Sequence, residues 1–177
     1  MKQISYLVLL LAPVPAMAQV PSSPSLGIAE GRCRRDEAGP SLMITVTGLK
    51  DRQGTLKAEL YPANDQDFLA DDNILINAGK TFRRVVVDVP SGGPVRLCVR
   101  APGPGPYGLT ILHDRNGDRR FDKSYDGDGL GFGGNPTGLG PFKPKIAIGR
   151  VVVGVGPTPM TVRLLYRRGL VSFGPIK

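Results

Sequence analysis

The composition limits the kind of protein that this sequence can encode. The chain has 177 residues, of which 24 are glycine and 17 are proline, and only 6% are aromatic. The glycines have no three-residue period, which excludes a collagen-like helix. Because glycine and proline interrupt helices, few stretches of the chain are long enough to form the helices of a bundle. Apolar residues reach 41%, enough for one hydrophobic core. We therefore expect a single, turn-rich β domain.

The net charge is strongly basic, at +8 for the whole chain. We expect no nucleic-acid ligand, because no stretch interleaves basic with aromatic residues as single-strand binders do. Two interpretations of the basic charge stay open. The surface binds an anionic component of the cell envelope or a protein partner, or it is simply solvated and has no dedicated partner.

The N-terminus has the features of a secretory signal peptide. Lys2 precedes an apolar run from Ile4 to Leu11, and the sequence at 16–18, AMA, matches an A-x-A cleavage site. The run is about half of the ~20 residues that a membrane-spanning helix needs. We expect residues 1–18 to be cleaved off after Ala18. The mature protein is then periplasmic or secreted, is not membrane-spanning, and has a formal charge of +7.

The mature chain contains two cysteines, Cys33 and Cys98. An oxidising compartment favours a disulfide between them, and their spacing matches no zinc or thioredoxin-like motif. The period-two pattern of residues 95–100 places valine and leucine on the core face and Cys98 on the opposite face. A bridge there would hold the N-terminal segment across a sheet. Closing a loop of about 65 residues stabilises the fold by roughly 4 kcal/mol in the chain-entropy model.

Short apolar runs separated by turn residues predict a β-sandwich. Strands are predicted, in chain order, at 42–47, 55–60, 82–89, 95–100, 107–113, 146–153 and 160–166. Residues 74–76 are expected to pair with 82–89, and Phe68 is expected in a helical turn against the sheet. About seven strands at this spacing predict one antiparallel sandwich with a long glycine-rich loop. The predicted divisions are a linker at 19–40, the domain at 41–166 and a tail at 167–177.

Most of the polar chemistry lies in one segment, residues 114–122, which we call the acidic turn. Its oxygen-bearing residues fall at positions 1, 3, 5 and 9, as in a calcium loop. They are Asp114, Asn116, Asp118 and Asp122. However, Gly117 stands at position 4 rather than 6, and Tyr125 replaces the glutamate of position 12. A tight turn whose Asx side chains cap their own backbone explains the same residues. Calcium is an alternative, and no other cofactor is expected.

The chain lacks the patterns of common catalytic sites. It has one histidine and no G-x-S-x-G motif, and the adjacent His113 and Asp114 should point to opposite faces of a strand. The glycine-rich stretch at 126–136 lacks the lysine and the strand–loop–helix frame of a phosphate-binding loop. Glycoside hydrolysis uses a pair of carboxylates, and the stretch from Asp114 to Asp128 contains several. A hydrolase that acts on an envelope polymer is therefore a minor alternative. We expect no enzyme and assign no catalytic residue.

The order of these motifs resembles a known family. Residues 106–118 read PYGLTILHDRNGD, and they are followed by Phe121-Asp122 and by GFGGNP at 131–136. Together with the opening strands, they resemble the DUF2141 family of exported bacterial proteins over about residues 41–166. The stretch from 140 to 145 and Asp118 depart from the family's pattern. The resemblance implies an Ig-like or prealbumin-like β-sandwich in the envelope, without an established activity.

We therefore expect a non-enzymatic binding or structural module. Its distinctive surface should be formed by the acidic turn and the glycine-rich stretch that follows it. The candidate residues of this surface are Tyr107, His113, Asp114, Phe132 and Asn135.

Overall fold

A computed structural model describes residues 18–176 of the chain. The strands are β1 Ser41–Thr47, β2 Thr55–Pro62, β3 Arg83–Asp88, β4 Val95–Arg100, β5 Gly105–Asp114, β6 Gly129–Phe132, β7 Arg150–Val153, β8 Pro157–Arg163, β9 Tyr166–Arg167 and β10 Phe173–Gly174. The helices are α1 Ile28–Gly31, α2 Asp72–Asn77 and α3 Ile146–Gly149. The predicted signal peptide lies outside the described residues except for Ala18. Within residues 18–176, no helix has the length and apolar character to cross a membrane.

The strands form two principal sheets. The smaller has the order β4-β1-β8, and the larger has the order β3-β2-β5-β6. Strand β7 pairs with the start of β5, on the part that β6 leaves uncovered. All pairs are antiparallel except β1 with β8, which run parallel. The prediction of an all-β antiparallel sandwich is confirmed. The seven predicted strands correspond to β1–β5, β7 and β8, and the structure adds β6, β9 and β10. The strand predicted at 146–153 is wrong in its first half, because residues 146–149 form α3 and only 150–153 form β7.

The main core lies between the two sheets and follows the period-two pattern. In β2, Leu56, Ala58 and Leu60 are fully buried, and β4 contributes Val95 and Val99 in the same way. A fully buried aliphatic side chain of this size contributes about 1.5–3 kcal/mol. The pattern that predicted these strands therefore also assigns their core faces correctly.

The larger sheet carries a second apolar cluster on its outer face, the face turned away from the smaller sheet. It consists of Tyr61, Phe68, Leu75, Phe82 and Phe132, which are all buried. The helical turn expected at Phe68 is present, since its N–H donates to the carbonyl of Asn64 at 3.0 Å. The strand predicted at 74–76 is wrong. Those residues lie in α2, which turns Leu75 into this cluster.

The N-terminal segment is held against the sheets at several points. A disulfide joins Cys33 to Cys98 with a Cα–Cα distance of 5.8 Å, as predicted. The N–H of Arg84 donates to the carbonyl of Gly27 at 3.0 Å, and Ser22 Oγ donates to a carboxylate oxygen of Asp72 at 2.5 Å. Residues 19–40, predicted as a linker tied only at Cys33, thus also lie along β3 and beside α2.

Part of the glycine-rich stretch at 126–136, which was predicted to be a loop, is a strand. Strand β6 pairs with β5 between Leu130 and Leu112. A Cβ atom on Gly129 would lie 2.6 Å from the Tyr166 ring, and one on Gly131 would lie 2.6 Å from Val162 Cγ1. Alternate positions of β6 therefore need glycine because another layer lies directly against that face.

Candidate functional site

His113 is the chain's only histidine, and it is fully buried near the end of β5. Its Nε2 lies 2.8 Å from the carbonyl oxygen of Gln53, and its Nδ1 lies 2.7 Å from the Tyr166 hydroxyl. A carbonyl oxygen only accepts, so Nε2 carries the proton and Nδ1 accepts the Tyr166 O–H. The same hydroxyl oxygen accepts the backbone N–H of Lys50 at 3.0 Å. The imidazole thereby joins three separate segments of the chain.

Burial keeps this pair uncharged. It lowers the pKa of His113, although the Gln53 carbonyl and the Asp51 carboxylate favour the charged imidazolium. Burial also raises the pKa of Tyr166 to about 12. A proton added at Nδ1 would displace the hydrogen bond that the Tyr166 hydroxyl donates there. The pair is therefore suited to a structural role in its neutral form.

The carboxylates of the acidic turn accept hydrogen bonds from the turn's own backbone. Asp114, which is also buried, accepts the N–H groups of Gly117 and Arg119, each at 2.8 Å. Asp118 accepts the N–H of Arg120 at 2.8 Å. The side chains thus satisfy backbone donors that the tight turn would otherwise leave without a partner.

The other two candidate calcium ligands are used in the same way. The Asn116 carbonyl oxygen accepts the Asp118 N–H at 3.0 Å. Asp122 accepts the N–H of Ser124 at 2.8 Å and its hydroxyl at 2.9 Å, and these bonds hold the pKa of Asp122 below its usual value. The turn has the Asx-type capping that was one of the two interpretations of the sequence.

Asp128 completes the turn, although the sequence analysis did not single it out. It is buried, and its two oxygens accept the N–H groups of Arg115, at 2.9 Å, and Asp122, at 2.8 Å. It therefore joins both ends of the acidic turn to the start of β6. The sequence signal was the repeated Asp-Gly pair at 126–129, since an aspartate before glycine is common where a side chain bonds to nearby backbone.

An ion pair closes the other side of the turn. Arg115 Nε donates to Asp51 Oδ2 at 2.7 Å, and its guanidinium also donates to the carbonyls of Asp126 and Gly127. Burial alone would raise the pKa of Asp51, but the bonds from Arg115 and from the Gln53 N–H outweigh it and lower that pKa. The acidic turn is thus tied to the β1–β2 connection.

The side chains of the acidic turn are not gathered around one point as metal ligands would be. Within residues 18–176, no three His, Cys, Asp or Glu side chains are grouped so that they could hold one. Each candidate oxygen ligand already accepts at least one hydrogen bond. A calcium ion would have to share oxygens that already accept these hydrogen bonds. The calcium alternative stays a prediction of the sequence.

The five candidate surface residues do not form one surface. His113, Asp114 and Phe132 are buried, and the Phe132 ring lies 6.4 Å from that of Phe68. Tyr107 is half-buried, and its hydroxyl donates to the carbonyl of Gly103 at 3.0 Å. Most of the residues that the sequence predicted to form a functional surface therefore lie in the interior.

Asn135 is exposed but serves the sheet. Its Nδ2 donates to the carbonyl of Thr161 at 2.6 Å, and its Oδ1 accepts the N–H of Arg163 at 2.8 Å. It has a positive φ of 50°, a conformation that asparagine tolerates better than most residues. The amide side chain thus occupies the hydrogen-bonding edge of β8 that a further strand would otherwise use.

A cleft of about 640 Å³ opens on the outer face of the larger sheet, and we call it the outer cleft. Side chains of β2, β5 and β6 form its floor, and residues from 121–123, 139–144 and 167–173 form its walls. Most of the lining is apolar. Its members include Leu112, Leu130, Phe132, Leu139, Phe142 and Leu170. Phe142 and Leu170 are each 86% exposed, and we call the part of the cleft that these two side chains form its mouth.

Basic side chains outnumber acidic ones in this lining. They are Lys57, Lys123, Lys143 and Arg167, against the single carboxylate of Glu59. Lys57 Nζ lies 3.3 Å from Glu59 Oε1. The ion pairs formed among residues 18–176 include none at Lys123, Lys143 or Arg167. The outer cleft therefore carries a positive charge that no carboxylate of the described chain neutralises.

Arg167 holds two walls of the outer cleft together. Its Nη1 donates to the carbonyl of Lys123 at 2.6 Å, and its Nε donates to that of Gly169 at 3.0 Å. It also donates to the carbonyl of Leu170. Backbone oxygens thus accept three of the five N–H donors of Arg167 and fix its guanidinium in place. Lys123 and Lys143, in contrast, are exposed side chains.

Glu59 is already compensated by neighbours beneath the cleft. Arg84 Nη2 lies 2.7 Å from Glu59 Oε1, and the Tyr61 hydroxyl donates to Glu59 Oε2 at 2.7 Å. Arg84 also donates to Asp72 at 3.1 Å. Burial raises the pKa of Tyr61 well above its usual value, so this hydroxyl stays a donor. The carboxylate of Glu59 is thus not available to neutralise the lysines of the walls.

The comparisons with known proteins identify a family. The profile of the family described as "uncharacterized protein conserved in bacteria (DUF2141)" matches residues 44–160. The chain belongs to the DUF2141 family. No curated protein and no solved structure shows a significant match to it. The DUF2141 match covers the acidic turn and most of the sandwich, whereas the wall at 167–173 lies beyond it.

Proposed function

We propose that this DUF2141 protein is an exported, non-enzymatic binding module of the bacterial cell envelope, and that it takes its ligand in the outer cleft. The observation that carries the proposal is the cleft itself. Its volume of about 640 Å³ falls among those of ligand sites, about 300–1,000 Å³. At its mouth, Phe142 and Leu170 hold two apolar side chains that are mostly exposed to solvent.

The state of the polar groups supports binding rather than catalysis. A general acid or base must exchange protons with a substrate, whereas His113 is buried, neutral and bonded at both ring nitrogens. The aspartates of the acidic turn are engaged by backbone N–H groups. These contacts favour a scaffold over a hydrolytic site.

Two further features support an exported protein. The first 18 residues have the pattern of a cleavable signal peptide. The bridge between Cys33 and Cys98 suits an oxidising compartment such as the periplasm. The envelope then supplies the ligands that the cleft can meet.

A pair of glycine variants tests the proposal. Added Cβ atoms at Gly140 and at Gly92 would meet nothing within 4 Å, so the backbone at both positions has room for a side chain, and we choose tryptophan for its size. Only Gly140 lines the outer cleft, where an indole would obstruct the mouth. We expect organic and aqueous extracts of bacterial envelopes to raise the melting temperature of the wild type and of Gly92→Trp, but not of Gly140→Trp.

The same melting experiment can refute the proposal. If neither extract stabilises the wild type, the protein does not take its ligand from the envelope. If all three proteins are stabilised equally, binding occurs away from the outer cleft.

A further inference from the structure

We propose that the ligand of the outer cleft is an amphiphile with one apolar chain and an anionic head group, either a carboxylate or a phosphate. This inference rests on the proposed function and specifies its ligand class. Two features of the cleft carry it. Its lining is mostly apolar, and the basic side chains of its walls have no carboxylate partner among residues 18–176.

The apolar lining favours a ligand with a hydrocarbon chain. Leu112 and Leu130 lie side by side on paired strands of the floor, and Leu139 faces them from a wall. Phe142 and Leu170 extend this surface to the mouth, where both are mostly exposed. A chain lying along this surface would remove ligand and protein apolar area from water together, which is the main driving force for such binding.

The basic side chains favour an anionic head group. Lys123 and Lys143 are exposed, lie on two different walls, and have no carboxylate partner among residues 18–176. The guanidinium of Arg167, which also lines the cleft, is fixed by backbone carbonyls of Lys123 and Gly169. A carboxylate or phosphate at the mouth would form charge-assisted hydrogen bonds with the two lysines.

Other ligand classes match only one of these features. Inorganic phosphate would use the lysines and leave the apolar lining exposed, and a neutral amphiphile would do the reverse. A polysaccharide would need many hydrogen-bonding groups, but Thr110 is the only uncharged polar side chain among the described residues that line the cleft. Stacking of successive nucleic-acid bases would need several free aromatic faces. Phe142 offers one, whereas Phe121 and Phe173 already pack on each other with centroids 5.8 Å apart, and Phe132 is buried.

Isothermal titration calorimetry on the mature chain tests the ligand class. The probes are dodecanoate, dodecyl phosphate, dodecyl maltoside and dodecyltrimethylammonium, each below its micelle concentration, with inorganic phosphate and oligothymidylate as further arms. We expect dodecanoate and dodecyl phosphate to bind about tenfold or more tightly than the other amphiphiles. Inorganic phosphate and oligothymidylate should give no saturable heat.

Matched variants assign the two ends of the ligand. We expect Lys123→Glu combined with Lys143→Glu to weaken dodecanoate binding about tenfold or more and to leave dodecyl maltoside unaffected. Lys145→Glu, which changes an exposed lysine outside the lining, should leave both unchanged. Phe142→Ala should weaken every amphiphile, whereas Val155→Ala, at a similarly exposed position, should weaken none.

The outcomes separate this inference from the proposed function. Equal affinity for the neutral or cationic amphiphile, or tighter binding of phosphate or oligothymidylate, would overturn the ligand class. If no amphiphile binds while envelope extracts still stabilise the wild type but not Gly140→Trp, the ligand class is wrong and the binding module stands. If Gly140→Trp binds dodecanoate as the wild type does, the cleft is not the site and both proposals fail.

Discussion

The acidic turn and the outer cleft treat their charged groups in opposite ways. In the acidic turn, Asp114 and Asp118 accept backbone N–H groups, and Asp128 fixes the turn to β6. In the outer cleft, Lys123 and Lys143 have no carboxylate partner among the described residues. The polar side chains of the turn accept hydrogen bonds from the turn's own backbone, while the lysines of the cleft are exposed to solvent.

This difference separates a motif that builds the fold from a surface that can bind a ligand. The motif residues of the family resemblance include His113, Gly131 and Asn135. His113 bonds to the β1–β2 connection, Gly131 allows close packing, and Asn135 covers the edge of β8. The residues of the cleft walls do not belong to a sequence motif of this kind. If this distinction is right, changes in the first region should alter stability, and changes in the second should alter binding.

The largest loss of stability is expected from Gly133→Ala. A Cβ atom there would lie 2.7 Å from the carbonyl oxygen of Gly149 and would also meet Val151. Because backbone cannot yield easily, we expect a loss of about 3 kcal/mol in the free energy of unfolding. Urea denaturation measures it, with Gly140→Ala, in open space at the cleft, as the control. Equal stability of the two variants would contradict the close packing of the backbone directly after β6.

A smaller loss is expected from Asp128→Ala. The substitution leaves the N–H groups of Arg115 and Asp122 without their acceptor, and we expect a cost of about 2 kcal/mol. Asp126→Ala is the matched control, because the Asp126 side chain is 96% exposed and pairs only with Lys50. Urea denaturation should show no measurable change for the control. A variant at 128 as stable as the control would show that the turn does not depend on its buried carboxylate.

The strands of the sandwich core were predictable because their side chains alternate. Valine and leucine at 95, 97 and 99 indicate both the strand and its core face, and burial follows the same pattern. The parallel pairing of β1 with β8 leaves no local trace, since it joins residues more than 100 positions apart. Residues 74–76 were misread because two isoleucines resemble a strand, while the preceding Asp71-Asp72 pair starts a helix.

The site was less predictable than the fold. Strand β6 was missed because its alternate residues are glycines, which carry no hydrophobic signal, although Leu130 and Phe132 keep the period of two. The outer cleft was missed because its walls come from three segments that are distant in sequence. Phe142 and Leu170 gave the one available signal, as large apolar residues in stretches otherwise predicted to be loop or tail.

Acidification should reveal the buried histidine. The pKa of His113 is lowered in the folded state, so the unfolded chain takes up a proton first as the pH falls. Stability is therefore complete above about pH 6.5 and is lost below it, at no more than about 1.4 kcal/mol per pH unit. Urea midpoints at pH 7.5, 6.5 and 5.5 measure this slope, which one residue dominates because the chain has a single histidine. A constant or rising midpoint would contradict a neutral His113.

The smallest effect is expected from calcium. The candidate ligands Asp114, Asn116, Asp118 and Asp122 already accept hydrogen bonds within the turn. We expect the same melting temperature in calcium and in EDTA. A midpoint that rises with calcium concentration would support the calcium-stabilised alternative and would move the acidic turn into the binding machinery.

The most direct test of the distinction is a chemical-shift map of both regions in one titration. Isotope-labelled mature protein would be titrated with dodecyl phosphate below its micelle concentration. We predict saturable amide shifts at Leu112, Leu130, 139–143 and Leu170, and none at 114–118. Saturable shifts at 114–118 with an unchanged outer cleft would contradict the account.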